Sequence, residues 1–178
     1  GMGVLVFLLA VVPLSGGSNV NLMRAESPGP SFGKLVPKLK TTARLLYLIY
    51  FGLTIIQIIL LICGRMPVFD AITTSFGTAG TGGFGIKNDS IAGYSLYIKW
   101  VVTIFMILFG VNFNAYYLIL YKKFKSAFAM EEVKAYLIII IVSVVCIFFN
   151  ILKMSTSAVN AITDSAFQVA SIITTTGF

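Results

Sequence analysis

Three long apolar runs, two of them preceded by basic stretches, constrain the fold of this 178-residue chain more than any other feature. The runs cover residues 43–64, 96–121 and 135–152. Each is close to the roughly 20 helical residues that are needed to cross a bilayer. Only 11% of the residues are charged, whereas soluble domains carry about a quarter. The pattern therefore predicts three transmembrane helices in an all-α integral membrane protein.

The basic residues indicate which connections lie inside the cell. Lys and Arg cluster in the stretches 23–42 and 122–134, next to the apolar runs. Such clusters are typical of the cytoplasmic side of a membrane protein. The net charge is +7, but most of the aromatic residues lie within the apolar runs. We therefore expect the lipid bilayer as a partner and no nucleic acid.

The sequence contains no histidine, which bears on catalysis and on metal binding. The absence removes Ser-His and Cys-His nucleophile systems and every His-ligated metal site. Of the six acidic residues, Glu131 and Glu132 are the one close pair, and they precede an apolar run. We expect neither an enzyme nor a cofactor, and no metal site beyond one for a monovalent cation.

The connection between the first two runs contains a second kind of segment. Residues 70–85 read DAITTSFGTAGTGGFG, which is too apolar for an exposed loop and too short to cross. Asp70 suits a helix N-cap, where its carboxylate accepts backbone N–H groups. Irregular backbone at membrane depth is tolerated where protein or a water-filled cavity covers it. The sequence predicts a re-entrant half-helix over 70–79, followed by an extended glycine loop.

The same pattern returns after the third run. Asp164 follows Asp70 by 94 residues, and the same shift places Gly177 on Gly83. We therefore predict a second half-helix over 164–174, capped by Asp164. The chain reads as span, half-helix, glycine loop and span, repeated, and such a repeat outweighs any single motif.

The residue types of the two loops fit the dehydration of a cation. A cation in a narrow pore exchanges water oxygens for carbonyl oxygens, and glycine permits the dihedrals that turn carbonyls toward an axis. The C-terminal end of each half-helix adds partial negative charge. We expect the two Phe side chains to wedge the loops against neighbouring helices. The candidate ion-binding residues are Thr81, Gly82, Gly83, Phe84, Thr175, Thr176, Gly177 and Phe178.

These segments resemble the Trk/Ktr/HKT family of potassium transporters, and most closely its Trk-type membrane subunit. The resemblance runs essentially from end to end, and the two loops together with the proline-rich segment are fairly specific. It is carried by GMG at 1–3, RAESPGP at 24–30, KLVP at 34–37, AGTGGFG at 79–85 and SIITTTGF at 171–178.

The resemblance implies potassium transport through a filter of backbone carbonyls in the bacterial cytoplasmic membrane. It further implies four repeats around one pore, a homodimer, and a cytosolic nucleotide-binding regulatory ring. On this basis the chain is a fragment that does not conduct alone. Its expected parts are the end of the second helix of repeat 1 (1–22), a cytoplasmic loop (23–42), repeat 2 (43–122), a second cytoplasmic loop (123–134), and repeat 3 up to its filter (135–178).

Two alternatives stay open from the residues alone. One is a polytopic anchoring or assembly subunit without a pore, although a plain anchor has no need of glycine at membrane depth. The other is a membrane-embedded enzyme. Polar residues within the spans are equally open, since Gln57, Asn112 and Asn114 could form helix–helix hydrogen bonds or line a cavity.

The basic clusters give a test of the topology. Cysteines introduced at Lys38 and Lys125 should react with a membrane-impermeant thiol reagent from the same, inner side, because both positions lie in basic stretches beside apolar spans. Labelling in inverted and in right-side-out vesicles measures this. Reaction of the two cysteines from opposite sides would contradict the predicted topology.

Overall fold

The computed structural model describes residues 39–120, 124–152 and 157–178, and every regular element in these ranges is helical. The all-α expectation is confirmed for this part of the chain. The predicted segment 1–22 lies outside the described residues, as does 23–42 except for its last four residues, which begin the first helix. The helices are α1 (Leu39–Cys63), α2 (Val68–Ala79), α3 (Leu96–Gly110), α4 (Phe113–Leu120), α5 (Phe124–Ala129), α6 (Glu131–Ile151) and α7 (Ala158–Ile173).

Two of the three predicted spans are continuous helices. The stretch 43–64 falls in α1 and 135–152 falls in α6, each apart from its last residue. Within the described ranges, α6 is the one helix that is both long and apolar enough to cross a membrane. The apolar parts Tyr47–Cys63 of α1 and Leu96–Gly110, which is α3, are shorter. Many large branched side chains of α6 are exposed, as expected for a helix that is apolar on all sides and faces lipid.

The prediction of one helix over 96–121 is wrong. The helix α3 ends at Gly110, and Val111 is extended, with φ −71° and ψ 142°. Glycine is about 1 kcal/mol less favourable in a helix than alanine. The freed carbonyl of Ile107 accepts a hydrogen bond from the Tyr136 hydroxyl at 3.2 Å. Apolar side chains continue across this break, so hydropathy alone gave no sign of it.

The predicted cytoplasmic loop 123–134 is largely helical as well. The helix α5 occupies Phe124–Ala129, and α6 already begins at Glu131, so that Met130 separates them. Lys, Glu and Ala all favour helix. Glu131 and Glu132 also complement the positive end of the α6 dipole. The charge of this stretch indicates contact with water, which a solvated helix satisfies as well as a loop does.

The chain divides into two compact units. In the first unit α4 packs against α5. The side-chain amide of Asn112 donates a hydrogen bond to the Glu132 carboxylate, so the helix–helix bond is the alternative found for Asn112. Asn114 lies outside the described side chains. The described residues of this unit are 39–51, 112–120 and 124–134.

In the second unit α2 and α7 both pack against α3. Val102 and Met106 of α3 are fully buried, and so are Ala71 of α2 and Ala170 of α7. Small residues allow helices to approach closely in membranes, where no hydrophobic force drives them together. The helix α3 is therefore the common neighbour of the two short helices. The described residues of this unit are 52–111, 135–152 and 157–178.

The segment 70–79, predicted as a half-helix, is helical in the structure and belongs to α2, which starts slightly earlier, at Val68. Its N-cap position is Pro67, and no side chain accepts a capping hydrogen bond there. The prediction that Asp70 caps this helix is therefore wrong. Asp70 lies in the first turn, where its charge still complements the dipole, and it accepts a hydrogen bond from the Tyr94 hydroxyl at 2.6 Å.

The prediction of a half-helix over 164–174 is wrong at its start. The helix α7 begins at Ala158 because Ser157 caps it, with the serine Oγ accepting the N–H of Val159 at 3.3 Å. Asp164 lies inside the helix and caps nothing. In the 94-residue register, α7 begins one turn earlier than α2 does. Aligning Asp164 with Asp70 could not reveal this extra turn, which exists only in the second repeat.

Replacing Ser157 with Ala should lower the free energy of unfolding by roughly 0.5–2 kcal/mol, because the first turn of α7 loses its side-chain acceptor. The Ser157→Asp variant keeps an acceptor and adds a favourable charge, so it should retain stability. Thermal unfolding in detergent measures both. An unchanged midpoint in Ser157→Ala would contradict the cap.

Candidate functional site

The two glycine loops leave α2 and α7 with the same backbone hydrogen bonds. In each loop, carbonyls of the last helical turn accept from four successive N–H groups, at 2.8–3.3 Å in the first loop and 2.9–3.4 Å in the second. Every bond in one loop has its counterpart 94 residues away in the other. The repeat is therefore a repeat of backbone geometry. The donors are Gly80, Thr81, Gly82 and Gly83, and Thr174, Thr175, Thr176 and Gly177.

Left-handed dihedrals occur at matching positions of the two loops. The φ angle is 49° at Thr81 and 61° at Gly83, and it is 56° at Thr175 and 78° at Gly177. This region is open to glycine but unfavourable for a β-branched residue such as threonine. Strained backbone of this kind persists only where the surroundings hold it, and it concentrates at functional sites.

The two loops lie against each other. A Cβ atom added to Gly83 would stand 2.2 Å from the Thr176 carbonyl oxygen and 2.7 Å from the Gly177 carbonyl carbon. No side chain fits there, so we expect Gly83 to resist replacement for a steric reason. A Cβ on Gly177 would meet nothing within 4 Å, and its φ of 78° is the constraint at that position.

The two phenylalanines differ in their surroundings. Phe84 is 77% exposed, so the expectation that it wedges its loop against neighbouring helices is wrong within the described residues. Phe178 is partly buried, and a Cβ on Gly77 would stand 3.1 Å from its ring. The ring of Phe178 thus lies against α2, where glycine leaves room for it.

A buried amide supports the first loop from behind. Gln57 of α1 is fully buried, and its Nε2 donates to the Thr78 Oγ1 at 3.0 Å. The Thr78 hydroxyl donates in turn to the Thr74 carbonyl at 2.8 Å. The carbonyl of Thr78 accepts the N–H of Thr81 at 3.1 Å. Of the two alternatives that the sequence left open for Gln57, the structure therefore shows the helix–helix hydrogen bond. Its partner Thr78 is itself bonded to Thr81 of the loop.

The second loop has a different support. The Thr174 and Thr176 hydroxyls lie 2.8 Å apart, and the Thr174 hydroxyl also bonds to the Ala170 carbonyl at 2.6 Å. Both threonines are buried. The corresponding residues of the first loop are Gly80 and Gly82, which have no hydroxyl. The two loops thus share a backbone but not the side chains behind it.

At the N-terminal end of α2, Tyr94 joins the segment after the first glycine loop to Asp70. The Lys87 ammonium stands 4.2 Å from the centre of the Tyr94 ring. Desolvation, followed by the hydrogen bond to Asp70, raises the pKa of Tyr94 to about 12. Tyr94 therefore stays protonated and keeps donating to Asp70 throughout the physiological range.

Asp164 has another partner, although it matches Asp70 in the repeat. Its carboxylate lies 3.6 Å from the Lys99 ammonium of α3. The aspartate side chain is half exposed, so this pair contributes at most about 1 kcal/mol. Sequence reasoning missed Tyr94 and Lys99, because the motifs drew attention to the loops and not to what holds their helices.

The loops offer neutral oxygen ligands. Neither 80–85 nor 174–178 contains a carboxylate. Across the described ranges, no three His, Cys, Asp or Glu side chains come together in a way that could hold a metal ion. Backbone carbonyls, with threonine hydroxyls second, are the groups that could face a cation here.

Short helices that end in strained glycine loops, set among apolar helices, define an all-helical protein of the membrane-transporter class. The comparison with known proteins agrees with that class. The TrkH family of cation transport proteins matches residues 1–178. The chain belongs to this family.

Individual relatives and a solved structure agree with this family assignment. The Trk system potassium uptake protein TrkH of Salmonella typhimurium is 34% identical over 187 residues, covering 100% of this chain and 38% of that protein. TrkG of Escherichia coli is 36% identical over 125 residues, covering 69% of this chain and 26% of that protein. The crystal structure of the potassium transporter TrkH from Vibrio parahaemolyticus has a TM-score of 0.75 at 26% identity, covering 96% of this chain and 35% of that chain. The chain thus spans well under half the length of these proteins.

The unequal surroundings of the two glycines give a test. Gly83→Ala should destabilise the protein more than Gly177→Ala, because the first Cβ collides with backbone while the second meets only a left-handed φ, which costs roughly 1–2 kcal/mol. Thermal unfolding measures both, with Gly52→Ala in α1 as a control whose Cβ meets nothing within 4 Å. Equal losses at the two loop positions would contradict the contact between the loops.

Proposed function

We propose that this chain forms part of a potassium transporter of the cytoplasmic membrane, and that its two glycine loops are filter strands. The observation that carries the proposal is the pair of adjoining loops with one hydrogen-bond pattern and left-handed dihedrals at matching positions. Two loops built alike and in contact are what a pore with repeated ligand strands requires. The relatives named as potassium uptake proteins support potassium as the ion.

In the proposed mechanism, carbonyls of Thr81, Gly82 and Gly83 and of Thr175, Thr176 and Gly177 face one axis and replace water around the ion. Neutral oxygens bind a monovalent cation without holding it too tightly to leave. The helices α2 and α7 end at these loops, so the negative ends of their dipoles favour a cation there. The protein supplies position and partial charge, and no covalent step is needed.

The remaining ligands come from outside these 178 residues in this proposal. The chain covers 38% of the length of TrkH from Salmonella typhimurium. We infer that it contributes the second and third of four repeats and that further filter strands complete the ring. The assembly is then a multi-pass protein in which 23–42 and 123–134 face the cytoplasm.

The proposed partners are the lipid bilayer, a second copy of the whole transporter in a homodimer, and a cytosolic nucleotide-binding regulatory ring. The basic inner stretches, including Lys34, Lys38 and Lys40, are the proposed contact for the ring, and these three side chains lie outside the described ones. Support for the partners comes from the family alone, since "Trk system" in the relatives' names implies further components.

Potassium uptake by the transporter that contains this chain tests the function. Gly83→Ser should weaken the discrimination of potassium from sodium, because a side chain at this position pushes the adjoining strand away. Uptake of both ions by cells that lack other potassium uptake systems measures this, with Gly52→Ala as the matched glycine control. Wild-type affinity and unchanged selectivity in Gly83→Ser would defeat the assignment.

A further inference from the structure

We propose that Gln57 is a positioning residue for the first filter strand and that it acts through Thr78. The inference rests on the proposed function, since it concerns how that filter is held. It starts from the bond between the Gln57 Nε2 and the Thr78 Oγ1, at 3.0 Å. Both side chains are fully buried, so no competing solvent weakens the bond.

The direction of this bond is fixed by its neighbour. The Thr78 hydroxyl has one proton, and it is given to the Thr74 carbonyl at 2.8 Å. The Thr78 Oγ1 can therefore only accept from Gln57. The amide presents its nitrogen to Thr78, and this bond joins α1 to the last turn of α2.

The last turn of α2 is where the filter backbone is attached. Thr78 accepts the N–H of Thr81, and Gly77 accepts those of Gly82 and Gly83. The helix has only 12 residues, a length at which helices are marginal by themselves. The hydrogen bond from Gln57 to Thr78 in the final turn therefore fixes the position of the carbonyls of that turn and of the strand bonded to them.

The second repeat shows that this brace is specific to the first. The positions 94 residues after Gln57 and Thr78 are Ile151 and Ile172, neither of which can form such a bond. Ile172 is 71% exposed. The second loop relies instead on the paired hydroxyls of Thr174 and Thr176. The two strands are therefore held by different side-chain hydrogen bonds. A substitution that removes the bond of Gln57 leaves the bond between Thr174 and Thr176 in place.

The test compares variants of the two bonded residues in the transporter that contains this chain. Gln57→Leu and Thr78→Val each remove the bond while keeping a side chain of similar size. Each should lower the potassium-to-sodium uptake ratio by roughly 3- to 10-fold, the effect of one lost hydrogen bond. The double variant should lose no more than either single one, because both remove the same interaction. Thr78→Ser keeps the hydroxyl and should retain the wild-type ratio.

Controls separate this inference from the proposed function. Ile172→Val is the matched control, since it places valine at the equivalent position of the second repeat without removing a hydrogen bond, and it should leave the ratio unaltered. The abundance of each variant in the membrane is measured. If Gln57→Leu does not accumulate there, the comparison of Thr78→Val with Thr78→Ser tests the role of the hydrogen bond. A wild-type protein that fails to discriminate the ions would defeat the proposed function. If the wild type is selective, three results would overturn the role of Gln57. They are unchanged uptake ratios in both single variants, additive losses in the double variant, and an equal loss in Ile172→Val.

Discussion

The hydrogen bonds from each glycine loop back to the preceding helical turn are the constraint on which the site depends. A loop that follows a helix without continuing it leaves N–H groups that need acceptors, and the preceding helical turn can supply them. The final carbonyls of α2 and α7 do this for four successive residues of each loop. The same helical turns therefore fix the backbone path of both loops.

The same constraint explains why the two loops agree in backbone and differ in side chains. Left-handed dihedrals at Thr81 and Thr175 follow from the shared hydrogen-bond pattern, whatever stands behind it. The helical turn before the first loop is bonded to the amide of Gln57, whereas the second loop contains a bonded pair of threonine hydroxyls. The repeat thus preserves what an ion would meet, whereas the supporting contacts are free to differ.

The helix α3 connects this site to the rest of the second unit. It packs against both short helices, and it stops at Gly110 beside Tyr136 and Thr174, both of which would lie within 3 Å of a Cβ placed there. The Tyr136 hydroxyl satisfies the carbonyl of Ile107, which the break releases. An interruption of a membrane helix is therefore placed where a neighbouring side chain can satisfy it.

The sequence by itself determined the all-helical class, the 94-residue repeat, the helix over 70–79 and the two glycine loops that follow the short helices. These follow from local composition and spacing, which neighbours do not alter. Only the tertiary structure decided that Asp70 and Asp164 bond to Tyr94 and Lys99 instead of capping helices, that Gly110 ends α3, and that Phe84 is exposed while Phe178 lies against α2. Each of these depends on a partner distant in the sequence, and one residue's chemistry does not specify which of several possible partners the packing brings within reach.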